Sequence, residues 1–233
     1  GKHAIGHNRY ATSGKTFLRN VQPFFADLAG GGLSIAHNGN LTNSLLLRHR
    51  LVDKGAIFQS TSDTEIIIQL IARSKRTIFM NKLIDALFQI QGGYSLVVMT
   101  GKKLIGVRDP FGIRPLVLGE LDGSPILTSE TCSLDIIGAK FIREIENGEI
   151  VVITDNKIKS IKPFPNVNCR PDIFEYIYFS RPDSELGGKS IYDCRKNFGI
   201  ELAKESKTSA DIVTAVPDSG MPAAIGFAKQ SKI

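Results

Sequence analysis

The sequence predicts a layered α+β sandwich on antiparallel sheets, followed by the opening of an α/β unit. Three observations carry this. The chain runs from strand-and-loop texture through three helix-like segments and back to short strands, an order in which helices cover sheets instead of alternating with each strand. At Tyr94 the apolar period shortens from helical to strand-like. After "PFPNVNCRPD" (Pro163–Asp172) the texture shifts again, to helix and then to strand, tight loop, helix.

The first forty residues contain "HAIGHNRYATSG", a Gly-rich "AGGG" (Ala29–Gly32) and the short strand "LSIAH". A helix is expected over Ser44–Lys54, with Thr42 and Asn43 as possible caps and a stop at Gly55. The next begins in "STSDTEIIIQLIARS", where Ser62-x-x-Glu65 reads as a capping box. A third, Asn81–Gln91, places Leu83, Ile84, Leu87 and Phe88 on one face and ends at Gly92-Gly93. "YSLVVMT", "KLIGVRD", "PLVLGEL" and "PILTSE" then read as strands separated by Gly, Pro and Asp turns, and "EIVVITDNKIKSIKPF" as a hairpin about Asp155-Asn156. "SIYDCRKNFGIELAKES" is predicted helical, and "ADIVTAVPDSGMPAAIGFAKQ" a strand, tight loop and helix. One boundary near residue 165 divides the chain into domains 1–165 and 166–233.

Composition narrows the function class. Of 233 residues 42% are hydrophobic and 22% charged, with net charge +6, which is the profile of a globular chain with a core and not of a disordered one. The basic residues are scattered, so anionic small molecules are better partners than nucleic acid. Three widely spaced cysteines, Cys132, Cys169 and Cys194, argue for a reducing compartment and against a disulfide framework. No apolar run approaches the ~20 residues of a membrane span. The opening "GKHAIGHNRY" is expected to be interior sequence and not a leader.

Three segments hold polar residues that a sandwich core does not need. "GHNRYATSG" offers Arg9 and Thr12, "HNGNLTN" offers Asn38 and Gly39, and "TSDTE" offers Asp63. An arginine fork holds a carboxylate through two parallel bonds, and an aspartate is the simplest partner for an ammonium. An Asn amide beside a Gly N–H supplies two donors for one oxyanion. Each also has a plain structural reading: Asn38-Gly39 as a tight turn, Asp63 as an acid in a helix's first turn, Arg9 as a surface arginine. His7 and His37 are given no chemical role.

In combination, "GHNRYATSG", "QPF", "HNGNLTN", "TSDTE" and "RDPFGIRPLVLG" resemble the class II glutamine amidotransferases, a branch of the N-terminal nucleophile hydrolases. "FEYIYFSRPDS" and "VTAVPDSGMPAAIGFA" narrow the likeness to the branch whose second domain is a phosphoribosyltransferase. The resemblance runs from Gly1 to Ile233. It implies a four-layer αββα sandwich, then the start of an α/β phosphoribosyltransferase domain. Arg9 and Thr12 would hold the carboxylate of glutamine, Asp63 its ammonium, and the Asn38 side chain and Gly39 N–H the oxyanion, so that turn and oxyanion hole are one object. Asp218, Ser219 and Gly220 would meet the pyrophosphate of phosphoribosyl pyrophosphate, with Ser219 also contacting Mg2+. Transfer of the glutamine amide nitrogen to that sugar is the first committed step of purine synthesis. Purine nucleotide inhibitors, a homo-oligomer and a cytoplasmic location are also implied.

The family's nucleophile is an N-terminal cysteine, and none of the three cysteines here can stand in, because none carries a free α-amine. These residues alone are therefore expected to be inactive, the nucleophile lying on a preceding segment. Some relatives carry an iron–sulfur cluster. It is not expected here, because Asp172 stands where a ligating cysteine would be, Cys169 lies three residues earlier, and thiolates hold such clusters. Two alternatives remain at this point. One is another class II amidotransferase of the glucosamine-6-phosphate synthase or asparagine synthetase type, which "VPDSGMPAAIG" does not fit. The other is a non-catalytic binding module on the same fold.

Overall fold

Apolar alternation decides which face of the main sheet is covered. The computed structural model describes residues 3–8 and 17–233, and Cα proximity divides it into two compact units. The first comprises residues up to Leu116, Gly123–Leu127 and Ile145–Pro171. It contains β1 (Phe24–Leu28), β2 (Gly31–Leu41), α1 (Ser44–Asp53), α2 (Thr64–Arg73), α3 (Phe79–Leu87), β3 (Gly92–Thr100) and β4 (Leu104–Arg108). The second comprises Val117–Asp122, Thr128–Glu144 and Asp172–Ile233. It contains β5 (Val117–Leu121), with β6 (Ser124–Thr128) ending at its margin, then α4 (Cys132–Ile136) and β7 (Lys140–Glu144). β8 (Ile150–Thr154) and β9 (Lys157–Ile161) return to the first unit; β10 (Glu185–Leu186), β11 (Lys189–Ser190), α5 (Ile191–Glu205) and α6 (Met221–Ser231) complete the second.

In the first unit six antiparallel strands run in the order β1-β2-β3-β4-β8-β9. Leu33, Ile35 and Leu41 of β2 share a face with Leu96 and Val98 of β3, and these join Leu51, Ile67, Ile71 and Leu83 of α1–α3 in one buried core. α2 is apolar almost all round, with Ile66, Ile67, Ile68, Leu70 and Ile71 buried, as suits a helix pressed between its neighbours and a sheet. The β8–β9 reversal falls at Asp155-Asn156 with φ of 49° and 60°, the left-handed pair that a two-residue hairpin turn requires.

Three local expectations are corrected. "HNGN" is not a turn: β2 runs on through it to Leu41, paired with β3 as Asn38↔Ser95 and Gly39↔Tyr94. The reversal lies earlier, in "AGGG", where Leu28 pairs with Gly31. The capping box does not form, because α2 begins at Thr64, one residue too late for Ser62 to be its cap. Glu65 instead accepts from the N–H groups of Gln59 and Ser60 at 2.8 and 2.7 Å. Nor does Asn43 cap α1 with its side chain. Its amide donates to Gln89 O and accepts from Gln91 N–H, clipping the segment after α3.

In the second unit β5 and β7 pair antiparallel with an irregularity at Leu118-Gly119. Ser190 caps α5 by accepting from the Asp193 N–H at 3.2 Å. Arg195, almost fully buried on α5, donates to Tyr176 O and Ser180 O at 2.8 and 2.7 Å. It thereby satisfies carbonyls at the end of the π-helical turn Glu175–Phe179. "ADIVTAV" does not form the expected strand, and Ile212 and Val216 are 73% and 83% exposed. A parallel strand exists only through bonds to neighbouring strands, and none is paired with it among the described residues.

α5 and α6 meet at glycines. A Cβ on Gly199 would lie 1.8 Å from Ala223 O, and one on Gly226 2.0 Å from Lys196 O. Alanine in an open helix would gain about 1 kcal/mol over glycine. Here the obstacle is backbone, so Gly226→Ala is expected to force the helices apart and destabilise by roughly 1–3 kcal/mol. A lower denaturation midpoint is the expected result, and a raised midpoint would refute the contact.

Candidate functional site

Period-2 alternation on β2 separates two adjacent residues. His37 points with Ile35 and Leu41 toward the helices, where its Nδ1 lies 3.2 Å from Thr64 Oγ1 and 3.7 Å from Asp63 Oδ1. Its backbone is held by Gln22, whose Oε1 accepts from His37 N–H at 2.7 Å. His37 is thus a packed, hydrogen-bonded histidine. Asn38, one residue on, belongs to the opposite face, where its Oδ1 accepts from Arg114 Nη2 at 2.8 Å.

Gly39 has φ of +143°, and a Cβ there would meet Gly93 O at 2.1 Å and Tyr94 Cα at 2.9 Å. The close approach expected of this glycine is present, but to the neighbouring strand and within a ladder. Tyr94 turns its C=O to Asp109 N–H at 2.9 Å, and its own N–H toward Asp109 Oδ2 at 3.4 Å. In an antiparallel ladder such a residue does not exchange bonds with its opposite partner, so the Gly39 N–H is not spent on Tyr94.

Asp63 stands at the start of α2, buried, with Oδ2 accepting from Leu41 N–H at 2.9 Å. Burial alone would raise its carboxyl pKa, but the bond and charge of His37 and the Leu41 N–H outweigh it and hold the group below its ordinary value. Asp63 therefore has the acid's structural task, at the strand end and not at its own helix cap, and it is an anion at neutral pH. Arg9 and Thr12 lie outside the described residues.

A second motif builds the floor under Asn38. The Arg108 guanidinium donates to Arg114 O, Ile145 O and Gly112 O at 3.0, 2.7 and 3.1 Å. Asp109 accepts from the N–H groups of Phe111 and Arg114 at 2.9 and 3.1 Å. Burial pushes the Asp109 carboxyl up despite these donors. Ser95, opposite Asn38 on β3, donates to Pro115 O at 2.9 Å. None of Ser95, Arg108 and Asp109 was singled out from the sequence, nor were two residues that touch the site strand directly. Gln22 precedes Pro23 in "QPF", and Arg114 ends the turn in "RDPFGIRPL"; the signals were a glutamine at a strand start and a second arginine after a Pro-Phe-Gly turn.

In the second unit Asp218, Ser219 and Gly220 form the turn before α6, with Gly220 as its N-cap residue and Pro222 in its first turn. A Cβ on Gly220 would meet Val216 O at 2.7 Å. Asp172 accepts from Phe174 N–H at 2.9 Å, and Cys169 is exposed. No helix among the described residues is long and apolar enough to cross a membrane.

Known proteins share both the sequence and the fold. Residues 7–135, more than half of the chain, match the profile of a glutamine amidotransferase domain. An amidophosphoribosyltransferase of Rhizobium etli is 55% identical over the whole of this chain and 48% of its own length. That of Bacillus subtilis is 44% identical over the whole chain and 49% of its own length. The chain thus spans about half the length of these relatives. The solved structure of the B. subtilis glutamine phosphoribosylpyrophosphate amidotransferase, complexed with ADP and GMP, superposes with a TM-score of 0.91 at 42% identity. It covers 97% of this chain and 49% of that one. A second solved structure, described as the allosteric regulatory enzyme of purine biosynthesis, gives 0.92 at the same identity and coverage. The expected fold class, that of the N-terminal nucleophile hydrolase amidotransferases, is the one found.

Proposed function

Because this chain belongs to the glutamine amidotransferase domain family, we propose that it carries the glutamine site and the opening of the phosphoribosyl site of an amidophosphoribosyltransferase. The observation that carries the reading is Asn38 beside Gly39 on a strand whose continuation, at Leu41, is held by the buried anion of Asp63. In the reaction a nucleophilic N-terminal cysteine of the full-length protein would add its sulfur to the glutamine carboxamide carbon. The carbonyl electron pair moves to oxygen, and the Asn38 amide and Gly39 N–H receive the charge. The thiol proton passes through the cysteine α-amine to the departing ammonia, leaving a thioester that water hydrolyses to glutamate.

Arg9, with Thr12 beside it, would hold the substrate carboxylate, as the family pattern supports, and Asp63 the ammonium. Ammonia would then attack C1 of phosphoribosyl pyrophosphate, displacing pyrophosphate and giving phosphoribosylamine. Asp218, Ser219 and Gly220 would meet the pyrophosphate at the start of α6, where backbone N–H groups and the helix dipole favour anions. Mg2+ would arrive with pyrophosphate, whose hard oxygens suit it, and the Ser219 hydroxyl is the group this loop offers. Residues 1–165 and 166–233 are assigned to the two catalytic domains. Nucleotide inhibition completes the reading, supported by the ADP and GMP bound in the B. subtilis structure; a homo-oligomer and a cytoplasmic setting are what the family resemblance implies.

Asp63→Asn tests the glutamine site in the full-length protein. Asparagine can still accept from Leu41 N–H, so the variant removes charge and keeps the strand contact. Glutamine binding is expected to weaken by about 1.5–3 kcal/mol, while synthesis from free ammonia persists because it bypasses this site. Equal loss of both activities would assign Asp63 to the fold alone.

A further inference from the structure

We propose that Arg114 is a positioning residue for the oxyanion site, fixing which end of the Asn38 amide faces the substrate. The inference rests on the reading of Asn38 given above. An asparagine side chain has two ends of nearly equal shape and opposite function, an acceptor oxygen and a donor nitrogen. Catalysis needs the nitrogen toward the developing negative charge; the oxygen in its place would repel that charge. A guanidinium has five N–H donors and no acceptor. The atom that Arg114 Nη2 meets at 2.8 Å is therefore Oδ1, and Nδ2 is turned to the other side of the amide.

The surrounding motif explains why Arg114 can do this. Its backbone is pinned at both ends: its N–H donates to Asp109 Oδ2 at 3.1 Å, and its C=O accepts from Arg108 Nε at 3.0 Å and Ser95 Oγ at 3.2 Å. Arg108 also holds Gly112 O and Ile145 O, so the turn leading to Arg114 is tied to β4 and to the segment before β8. A side chain leaving so fixed a backbone holds its partner to a narrow range of positions, as an oxyanion donor requires. "RDPFGIRPL" is thus a scaffold: its first arginine and aspartate hold the turn, and its second arginine sets the amide.

A double-mutant cycle on the full-length enzyme, with glutamine hydrolysis as readout, tests the assignment. Arg114→Ala is expected to lower kcat about 10–100-fold, short of the loss of the donor itself, with KM changed less than about threefold. Arg114→Lys, which keeps a cationic donor, should recover part of the rate. In an Asn38→Ala background, Arg114→Ala should cost less than about twofold, because there is no amide left to orient. Multiplicative losses in the double variant, or a lysine variant as slow as the alanine one at equal melting temperature, would overturn the proposal while leaving Asn38 in its role. An undiminished kcat for Asn38→Ala alone would instead overturn the reading on which it rests.

Discussion

Asn38→Ala in the full-length enzyme is expected to lower the kcat of glutamine hydrolysis by about 10²–10³, with little change in KM. The charge it is proposed to meet exists in the tetrahedral intermediate and the transition states flanking it, not in bound glutamine. A ground-state contact would raise KM instead. Stability should fall slightly as well: removing the amide leaves Arg114 without its Asn38 bond, a loss on the order of 1 kcal/mol and so only a few degrees in melting temperature. A hundredfold fall in rate with that small thermal shift is the signature sought. A normal kcat with a much lower melting temperature would make Asn38 a strand residue and nothing more.

The residue types of the candidate site were legible in the sequence, while their mechanical setting was not. "HNGN" has the composition of a turn, and single-strand reasoning weighs Asn-Gly by its local preference. What overrides that preference is a partner strand. β3 begins with Gly92-Gly93, and only two glycine-bearing strands can pair this closely. The same holds for Glu65. Its spacing from Ser62 suits a capping box, but the Gln59–Ser60 loop captures its carboxylate first. Long, strongly apolar segments such as α2, and turns with obligatory left-handed residues such as Asp155-Asn156, were legible because a local rule decides them. Arg114 was legible only as part of a pattern, since its role depends on a contact 76 residues away in the chain. "ADIVTAV" shows the converse: an apolar strand-like run has no strand structure unless neighbours hydrogen-bond to it.

Gly39→Ala should be strongly disruptive, by a route distinct from that of Asn38→Ala. At φ of +143° any L side chain is strained, at about 1–3 kcal/mol. The steric conflict costs more. The new Cβ would lie 2.1 Å from Gly93 O and 3.0 Å from Gly93 C, both backbone atoms. The opposing strand cannot yield locally: the close approach is reciprocal, since a Cβ on Gly92 would lie 2.2 Å from Asn40 O, and β3 is backed at Gly93 by Ile113, whose Cγ2 a Cβ there would meet at 2.6 Å. β2 and β3 would have to separate at the point where β2 presents Asn38 and, through Leu41, anchors Asp63. A loss of more than about 3 kcal/mol is expected, or several degrees in melting temperature. Glutamine hydrolysis should vanish with it, whereas Asn38→Ala keeps a folded, slow enzyme. A Gly39→Ala protein that melts within about 2 °C of the parent would show that the strands can part here at little cost, and the close-pairing account of this site would have to be given up.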